Sequence, residues 1–183
     1  MITFWKFFKW DRLFLWNIQN IYYWEDSKYS GIPKPEIVIG EGSFGRVFRV
    51  AKKSSGKEFA ILFGKEEGDS ELEQAFLSEM EVLAQVRYHS ILSLYGRVNS
   101  YPYYIITEYL SKGSVQKYID LSYKGETPEI WDLTHKFIVI LGIALGMRFL
   151  HSLNIAHRDW KPGNMLLDDN LYPRIADFGL SKH

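Results

Sequence analysis

The sequence predicts an α+β fold: an antiparallel sheet with one main helix, followed by a helical region. Three observations carry this. Short alternating runs at Glu36 to Ile39, Phe44 to Val50 and Glu58 to Phe63 are separated by glycine-rich or polar turns, the pattern of hairpins. Ser70 to Val86 places Leu72, Phe76, Met80, Leu83 and Ala84 at helical spacing. Farther on, Phe137 to Met147 holds no polar side chain, which marks a helix inside a larger core.

Taken in order, the first 31 residues stand apart. Met1 to Trp24 contains Phe4, Trp5, Phe7, Phe8, Trp10, Phe14, Trp16, Tyr22, Tyr23 and Trp24. Lys6, Lys9, Asp11 and Arg12 interrupt it, so no apolar run reaches the ~20 residues of a membrane-spanning helix. A signal peptide's small-residue cleavage site is also missing. Three readings stay open: a packing extension, an interfacial membrane contact through residues 1–24, and a mis-assigned start. From Ile32 the character changes. Pro33 and Pro35 break the chain before the first strand, and Lys52-Lys53-Ser54-Ser55-Gly56 turns the second strand into the third. Ser70 is the candidate N-cap of the main helix, with Glu71 and Glu73 in its first turn. Ile91 to Leu94 and Tyr103 to Thr107 read as short β segments. A second helix is expected near Gly113, and Pro128 is expected to open a long one through His151. The apolar run inside that helix is too short to span a bilayer.

Composition narrows the function. With 22 basic and 22 acidic side chains the net charge is zero, which gives no footprint for nucleic acid. The absence of cysteine removes disulfide scaffolds, thiolate metal sites and cysteine nucleophiles, and suits an intracellular, cytoplasmic protein. The chain length, 183 residues, is ordinary for one domain.

Gly40-Glu41-Gly42-Ser43-Phe44-Gly45-Arg46-Val47 is a glycine-rich turn between strands. Glycines let backbone N–H groups approach phosphates without Cβ obstruction. A dinucleotide fingerprint needs a helix after the turn, whereas a strand follows Val47. Downstream come His157-Arg158-Asp159-Trp160-Lys161-Pro162-Gly163-Asn164 and then Asp177-Phe178-Gly179. In this order the motifs resemble the protein kinases, over about Glu36 to Lys182. The lysine in the Asp159-Trp160-Lys161-Pro162 run looks like the Ser/Thr-directed version. Ile105 to Leu110, Gly142 to Met147 and Arg174 to Asp177 look most like the tyrosine-kinase-like group.

The resemblance implies a two-lobed fold: an N-lobe at about 32–107, a hinge at about 108–112 and a partial C-lobe at 113–183. It implies ATP and Mg²⁺ as cofactors and transfer of a phosphoryl group to Ser or Thr of a protein substrate. Asp159 would accept or orient the substrate hydroxyl's proton, and Lys161 would neutralise the travelling phosphoryl group. Asn164 and Asp177 offer the hard oxygens that Mg²⁺ prefers. Gly40, Gly42 and Gly45 would cover the phosphates. Val47, Ala60 and Leu166 would sandwich the base, Glu108 and Leu110 would supply backbone hydrogen bonds, and Thr107 would stand at the back of the pocket. Phe178 would pack beneath the helix that carries Glu79. His157 and Arg158 read as scaffold.

Two departures set this chain apart. Where the family pattern has Ala-x-Lys, the third strand reads Ala60-Ile61-Leu62, so Leu62 occupies the position of the phosphate-holding lysine and Glu79 loses its partner. Losing one preorganised cation at developing charge costs ~10²–10³ in rate, or about 3–4 kcal/mol. Lys57 and Lys65 have the wrong strand parity to replace it; Arg49 shares parity with Val47 and is the remaining candidate. The second departure is that the chain stops at His183, before any activation loop. Ile138, Ile140, Leu141, Leu145 and Phe149 are therefore expected to lack full cover and to form an exposed patch. These departures keep an alternative open: a catalytically inactive pseudokinase fragment that binds nucleotide or protein.

Overall fold

The computed structural model describes residues 37–41, 45–51, 55–64, 70–98 and 103–182. The aromatic segment 1–31, with its three readings, lies outside them, as do Gly42, Phe44 and Lys65. An antiparallel five-stranded sheet is built from β1 (Ile37–Glu41), β2 (Gly45–Ala51), β3 (Glu58–Gly64), β4 (Leu94–Val98) and β5 (Tyr104–Glu108), in the order β1-β2-β3-β5-β4. The first three strands start and end within two residues of their predicted bounds. β1 and β2 form the expected hairpin, with Glu41 opposite Arg46.

The register sorts the sheet into two faces. Val47 pairs with Leu62, and Leu62 with Ile105, while Arg49 pairs with Ala60, and Ala60 with Thr107. Directly opposed residues share a face, so these six line one side. The alternate residues Val50, Phe59, Ile61, Tyr104 and Ile106 form a separate apolar cluster on the other. Against the first face packs α1 (Ser70–Gln85), which begins at the predicted residue. Its Phe76, Met80 and Leu83 are buried together with Ile105 from the sheet and Leu150, Met165, Ile175 and Phe178 from the second half of the chain. One core therefore joins the two halves.

That second half is less purely helical than predicted. β6 (Gly113–Ser114), β7 (Met165–Leu167) and β8 (Pro173–Ile175) make a small antiparallel sheet beside α2 (Val115–Tyr123) and α3 (Leu133–Ser152). Strands of two or three residues are too short to show a period. The helix expected near Gly113 starts two residues later because Gly113 and Ser114 pair with Leu167 and Leu166. The long helix starts at Leu133, not Pro128. Pro128 instead begins a turn closed by the Trp131 N–H at 2.8 Å, and the Asp132 carboxylate caps α3 by accepting from the His135 N–H at 2.8 Å. Ile91 to Leu94 is a further correction: the strand is Leu94–Val98. Ile91 and Leu92 are apolar because they enter the shared core, where the Leu92 N–H donates to the Ile175 carbonyl and the Ile175 N–H to Ser90, at 2.9 and 2.8 Å.

α3 lies on β8 through two glycines. A Cβ on Gly142 would sit 2.5 Å from Pro173 Cγ, and one on Gly146 2.5 Å from Ile175 Cδ1. Val139, Gly146 and Leu150 face inward, whereas Leu133, Phe137, Ile140 and Leu141 are each more than 60% exposed. The expected patch is present but smaller than expected. Phe149 stacks on Tyr88 at 4.5 Å, and Ile138 and Leu145 are half-buried. Over an 18-residue stretch of α3 the mean hydropathy reaches 1.6, so by length and composition the helix passes the test for a membrane-crossing helix that its inner run alone does not. Its buried side is nevertheless core.

Candidate active site

Between α3 and β7 the backbone runs through His157 to a single 3₁₀ turn, Pro162–Asn164. Burial and hydrogen bonding fix this segment. His157 is 1% exposed, its Nε2 donates to the Ala176 carbonyl at 3.0 Å, and its Nδ1 accepts from the Asp159 N–H at 3.3 Å. That pattern defines one neutral tautomer. Desolvation holds the imidazole below its ordinary range. The ring also contacts Trp160 and Phe178, at centroid distances of 4.7 and 4.9 Å. His157 is thus a strut between the two motifs. Arg158, beside it, has φ 67° and an exposed side chain.

Asp159 is the hub of a compact polar cluster. Lys161 Nζ donates to its Oδ2 at 2.5 Å, and Asn164 Nδ2 donates to the same oxygen at 2.8 Å and to the Asp159 carbonyl at 3.0 Å. The Lys161 ammonium holds the Asp159 carboxyl below the usual carboxylate range, with Asn164 adding to the effect. Asp159 in turn raises the Lys161 ammonium. Because both hydrogen bonds from Asn164 leave through nitrogen, its Oδ1 keeps acceptor capacity. The Ala176 N–H donates to the Asn164 carbonyl at 2.9 Å, which ties the turn to the strand before Asp177. Asp177 is half-buried at φ 64°, a backbone state that costs on the order of 1–3 kcal/mol outside glycine. The fold therefore brings together Asp159, Lys161, Asn164 and Asp177.

On the sheet side, Val47, Ala60 and Leu62 are half-buried on the face shared with Ile105 and Thr107. Leu62, Leu110 and Leu166 all border the common core. Gly40 lies against Val47, and a Cβ on Gly45 (φ 156°) would sit 1.7 Å from the Phe63 carbonyl oxygen, so the start of β2 can lie this close to β3 only as glycine. At the hinge the Glu108 N–H is already donated to Ser93 at 3.1 Å, which leaves its carbonyl as the backbone group for a ligand. Thr107 is buried, with its hydroxyl donated to that carbonyl at 3.2 Å.

Glu79 is buried on α1, as Phe178 is beneath it. Burial pushes its carboxyl up to about 8, the charge of Asp177 adds to the rise, and a hydrogen bond with the Phe178 backbone opposes it. Among the described residues, Glu79 thus keeps one backbone partner and no cation. Arg49 does not replace the missing lysine: it is paired with Glu58 and lies over the Tyr109 ring at 5.0 Å, at the hinge end. Lys57 contacts Tyr95 on the opposite face, with Nζ 2.9 Å from the hydroxyl. One network gave no sequence signal. Arg174 on β8 reaches Asp168 at 3.0 Å and Glu108 at 3.6 Å, while Glu108 Oε1 accepts from the Ser93 N–H at 2.8 Å. These charges have no periodicity, and only the fold brings them together at the hinge.

The sequence model described as "Protein kinase domain" matches residues 34–183. The chain belongs to the protein kinase family. It is 38% identical over 151 residues to U-box domain-containing protein 34 of Arabidopsis thaliana, covering 81% of this chain and 18% of that protein. It is 35% identical over 153 residues to receptor protein-tyrosine kinase CEPR2 of Arabidopsis thaliana, covering 79% of this chain and 15% of that one. The chain spans less than a fifth of the length of these curated relatives. The family carries out phosphoryl transfer and normally uses ATP and Mg²⁺.

The residues present fit part of that cofactor set. Asp177 and the Asn164 Oδ1 supply hard oxygens. Among the described residues there is no cluster of three or more His, Cys, Asp or Glu side chains able to hold a metal. Mg²⁺ takes one or two protein carboxylates and completes its shell with phosphate and water. The apolar pair Val47 and Ala60 suits a flat base. At position 62 the fit fails, since a leucine offers nothing to phosphate.

Proposed function

We propose that this chain is the nucleotide-binding part of a Ser/Thr-type protein kinase domain, with an N-lobe at about 32–107, a hinge at about 108–112 and a partial C-lobe at 113–183. The observation that carries the reading is the cluster of Asp159, Lys161 and Asn164, held by hydrogen bonds of 2.5 and 2.8 Å and set beside Asp177. Mg²⁺ with ATP supplies the transferable phosphoryl group and the charge neutralisation at its oxygens. Asp159, ionised across the neutral range, orients the substrate hydroxyl and takes its proton as the new bond forms. Lys161, bonded to the same carboxylate oxygen, places a positive charge where the phosphoryl group passes. Asn164 and Asp177 would hold the Mg²⁺. His157 keeps Asp159 aligned through the Asp159 N–H.

Lys161 also supports hydroxyl substrates of the Ser/Thr type, although one relative carries the name of a protein-tyrosine kinase. Phosphorylation of a generic protein mixture, followed by phosphoamino-acid analysis, tests both points. Phosphoserine and phosphothreonine should appear with the unaltered chain and vanish with Asp159→Asn. Equal signal in both proteins refutes the reading, and phosphotyrosine alone refutes its specificity.

A second reading is favoured by Leu62 and by the buried Glu79, which has no cation among the described residues: a pseudokinase that binds nucleotide or a protein partner with little or no turnover. Membrane contact through residues 1–24 is a separate proposal supported by their Trp, Phe and Lys content. Liposome flotation of the full chain against a form lacking those residues tests it, and equal flotation overturns it.

A further inference from the structure

The cleft has one end suited to a base and another poorly suited to phosphate. At the base end, Val47, Ala60 and Leu166 are half-buried and apolar, and the hinge offers the Glu108 carbonyl. At the far end the sheet presents Leu62, which lies directly between Val47 on β2 and Ile105 on β5. The titratable groups facing that end are Glu79 from α1, Asp177 after β8, and the Asp159–Lys161 pair from the segment before β7. Glu79 is buried and largely protonated at neutral pH, so two carboxylates, Asp159 and Asp177, meet one ammonium, and that ammonium is already bonded to Asp159.

Among the described residues, the cations of the hairpins are engaged elsewhere. Arg46 bonds Glu41 at 3.3 Å on the sheet's other parity, Arg49 holds Glu58 at the hinge end, and Lys57 sits against Tyr95. Among the described residues, no basic side chain on this face of the sheet is directed toward the phosphates. A triphosphate placed here brings several negative charges toward carboxylates and an apolar side chain. A nucleoside brings the same base and sugar without that repulsion.

We propose that the cleft prefers an uncharged, phosphate-free ligand of the nucleoside class over a nucleoside triphosphate, and that Leu62 sets this preference. The proposal rests on the reading of the cleft as a nucleotide-type site. Leucine stands at the sheet position from which a cation would reach the phosphates, so phosphate groups gain no bond from this strand. One charge-assisted contact between an ammonium and phosphate is worth about 10–100-fold in affinity. Restoring it at position 62 should therefore reverse the order of the two ligands.

The experiment is calorimetric titration of the full chain with adenosine and with ATP, both at saturating Mg²⁺, alongside thermal stabilisation by each. Adenosine should bind at least as tightly as ATP. In Leu62→Lys, ATP should gain about 10–100-fold and become the tighter ligand, with adenosine changed less than about twofold. Tighter binding of ATP by the unaltered chain overturns the proposal and leaves the nucleotide-site reading intact. Binding of neither compound overturns both. A folded Leu62→Lys protein that keeps the original order overturns the role given to Leu62. If that variant does not fold, the comparison in the unaltered chain decides alone.

Discussion

Two carboxylates of the same cleft, Asp159 and Glu79, have opposite surroundings. Asp159 is partly open to water, accepts hydrogen bonds from Lys161 and Asn164, and is held below the ordinary carboxylate range. Glu79 is 6% exposed, has one backbone hydrogen bond and, among the described residues, no cation, and is pushed up to about 8. Desolvation favours the neutral acid, and only a nearby positive charge reverses that. The lower side of the cleft thus keeps its chemistry in the charged form, while the sheet side keeps an acid that is neutral below about pH 8. Burial is the main cause of the rise at Glu79, and Leu62 offers no charge to oppose it. Leu62 turns a position expected to supply a cation into more of the apolar core around Ile105 and Phe76.

The largest expected effect breaks this contrast directly. Leu62→Lys places an ammonium on the face that carries Val47 and Ile105, beside the helix that holds Glu79. Under the kinase reading, phosphoryl transfer measured with radiolabelled ATP should rise by roughly 10²–10³-fold. The Glu79 carboxyl should fall toward the Asp159 range, visible as a downfield carboxyl shift in carbon NMR at neutral pH. Unchanged transfer together with a lowered Glu79 would mean that the lost lysine is not what limits turnover.

The next effect needs no new charge. Glu79 has a folded-state value of about 8 against an ordinary 4.5, so over that interval the folded chain holds a proton that the unfolded chain has released. Its contribution to stability is therefore complete below about pH 4.5 and is lost as pH rises through about 8, with a slope approaching 1.4 kcal/mol per unit between them. Urea denaturation in metal-free buffer at a series of pH values should show this decline. Glu79→Gln should flatten it, because an amide keeps the shape and cannot ionise. An equal slope in both proteins would show that Glu79 reaches water when it ionises.

Much of this contrast was legible in the sequence. The order Asp159, Asn164 and Asp177 anticipated a cluster that the fold does bring together, and Ala60-Ile61-Leu62 raised the expectation that Glu79 lacks a lysine partner. Strand alternation correctly put Lys57 on the wrong face, since a period of two is a local property. What was not legible depended on distant partners. The engagement of Arg49 with Glu58 follows from the β2–β3 register, and the Arg174 links to Glu108 and Asp168 follow from how β8 meets the hinge. Apolar Ile91 and Leu92 resembled a strand, yet their burial comes from contact with β8, which sequence periodicity does not report. The start of α3 moved for a local reason that could have been read: Asp132 stands three residues before His135, whose N–H it caps.

The smallest effect tests the other member of the pair. Lys161→Met removes the main cause that holds Asp159 low while retaining Asn164. The Asp159 carboxyl should rise but stay well below Glu79, because its side chain is 25% exposed and still accepts the Asn164 hydrogen bond at 2.8 Å. Stability should change by less than about 1 kcal/mol, since the lysine is mostly exposed and exposed ion pairs contribute little. Carboxyl titration by NMR reads the first quantity and urea denaturation the second. If Asp159 instead climbed as high as Glu79, water access would not be what separates the two acids, and the cation alone would explain both.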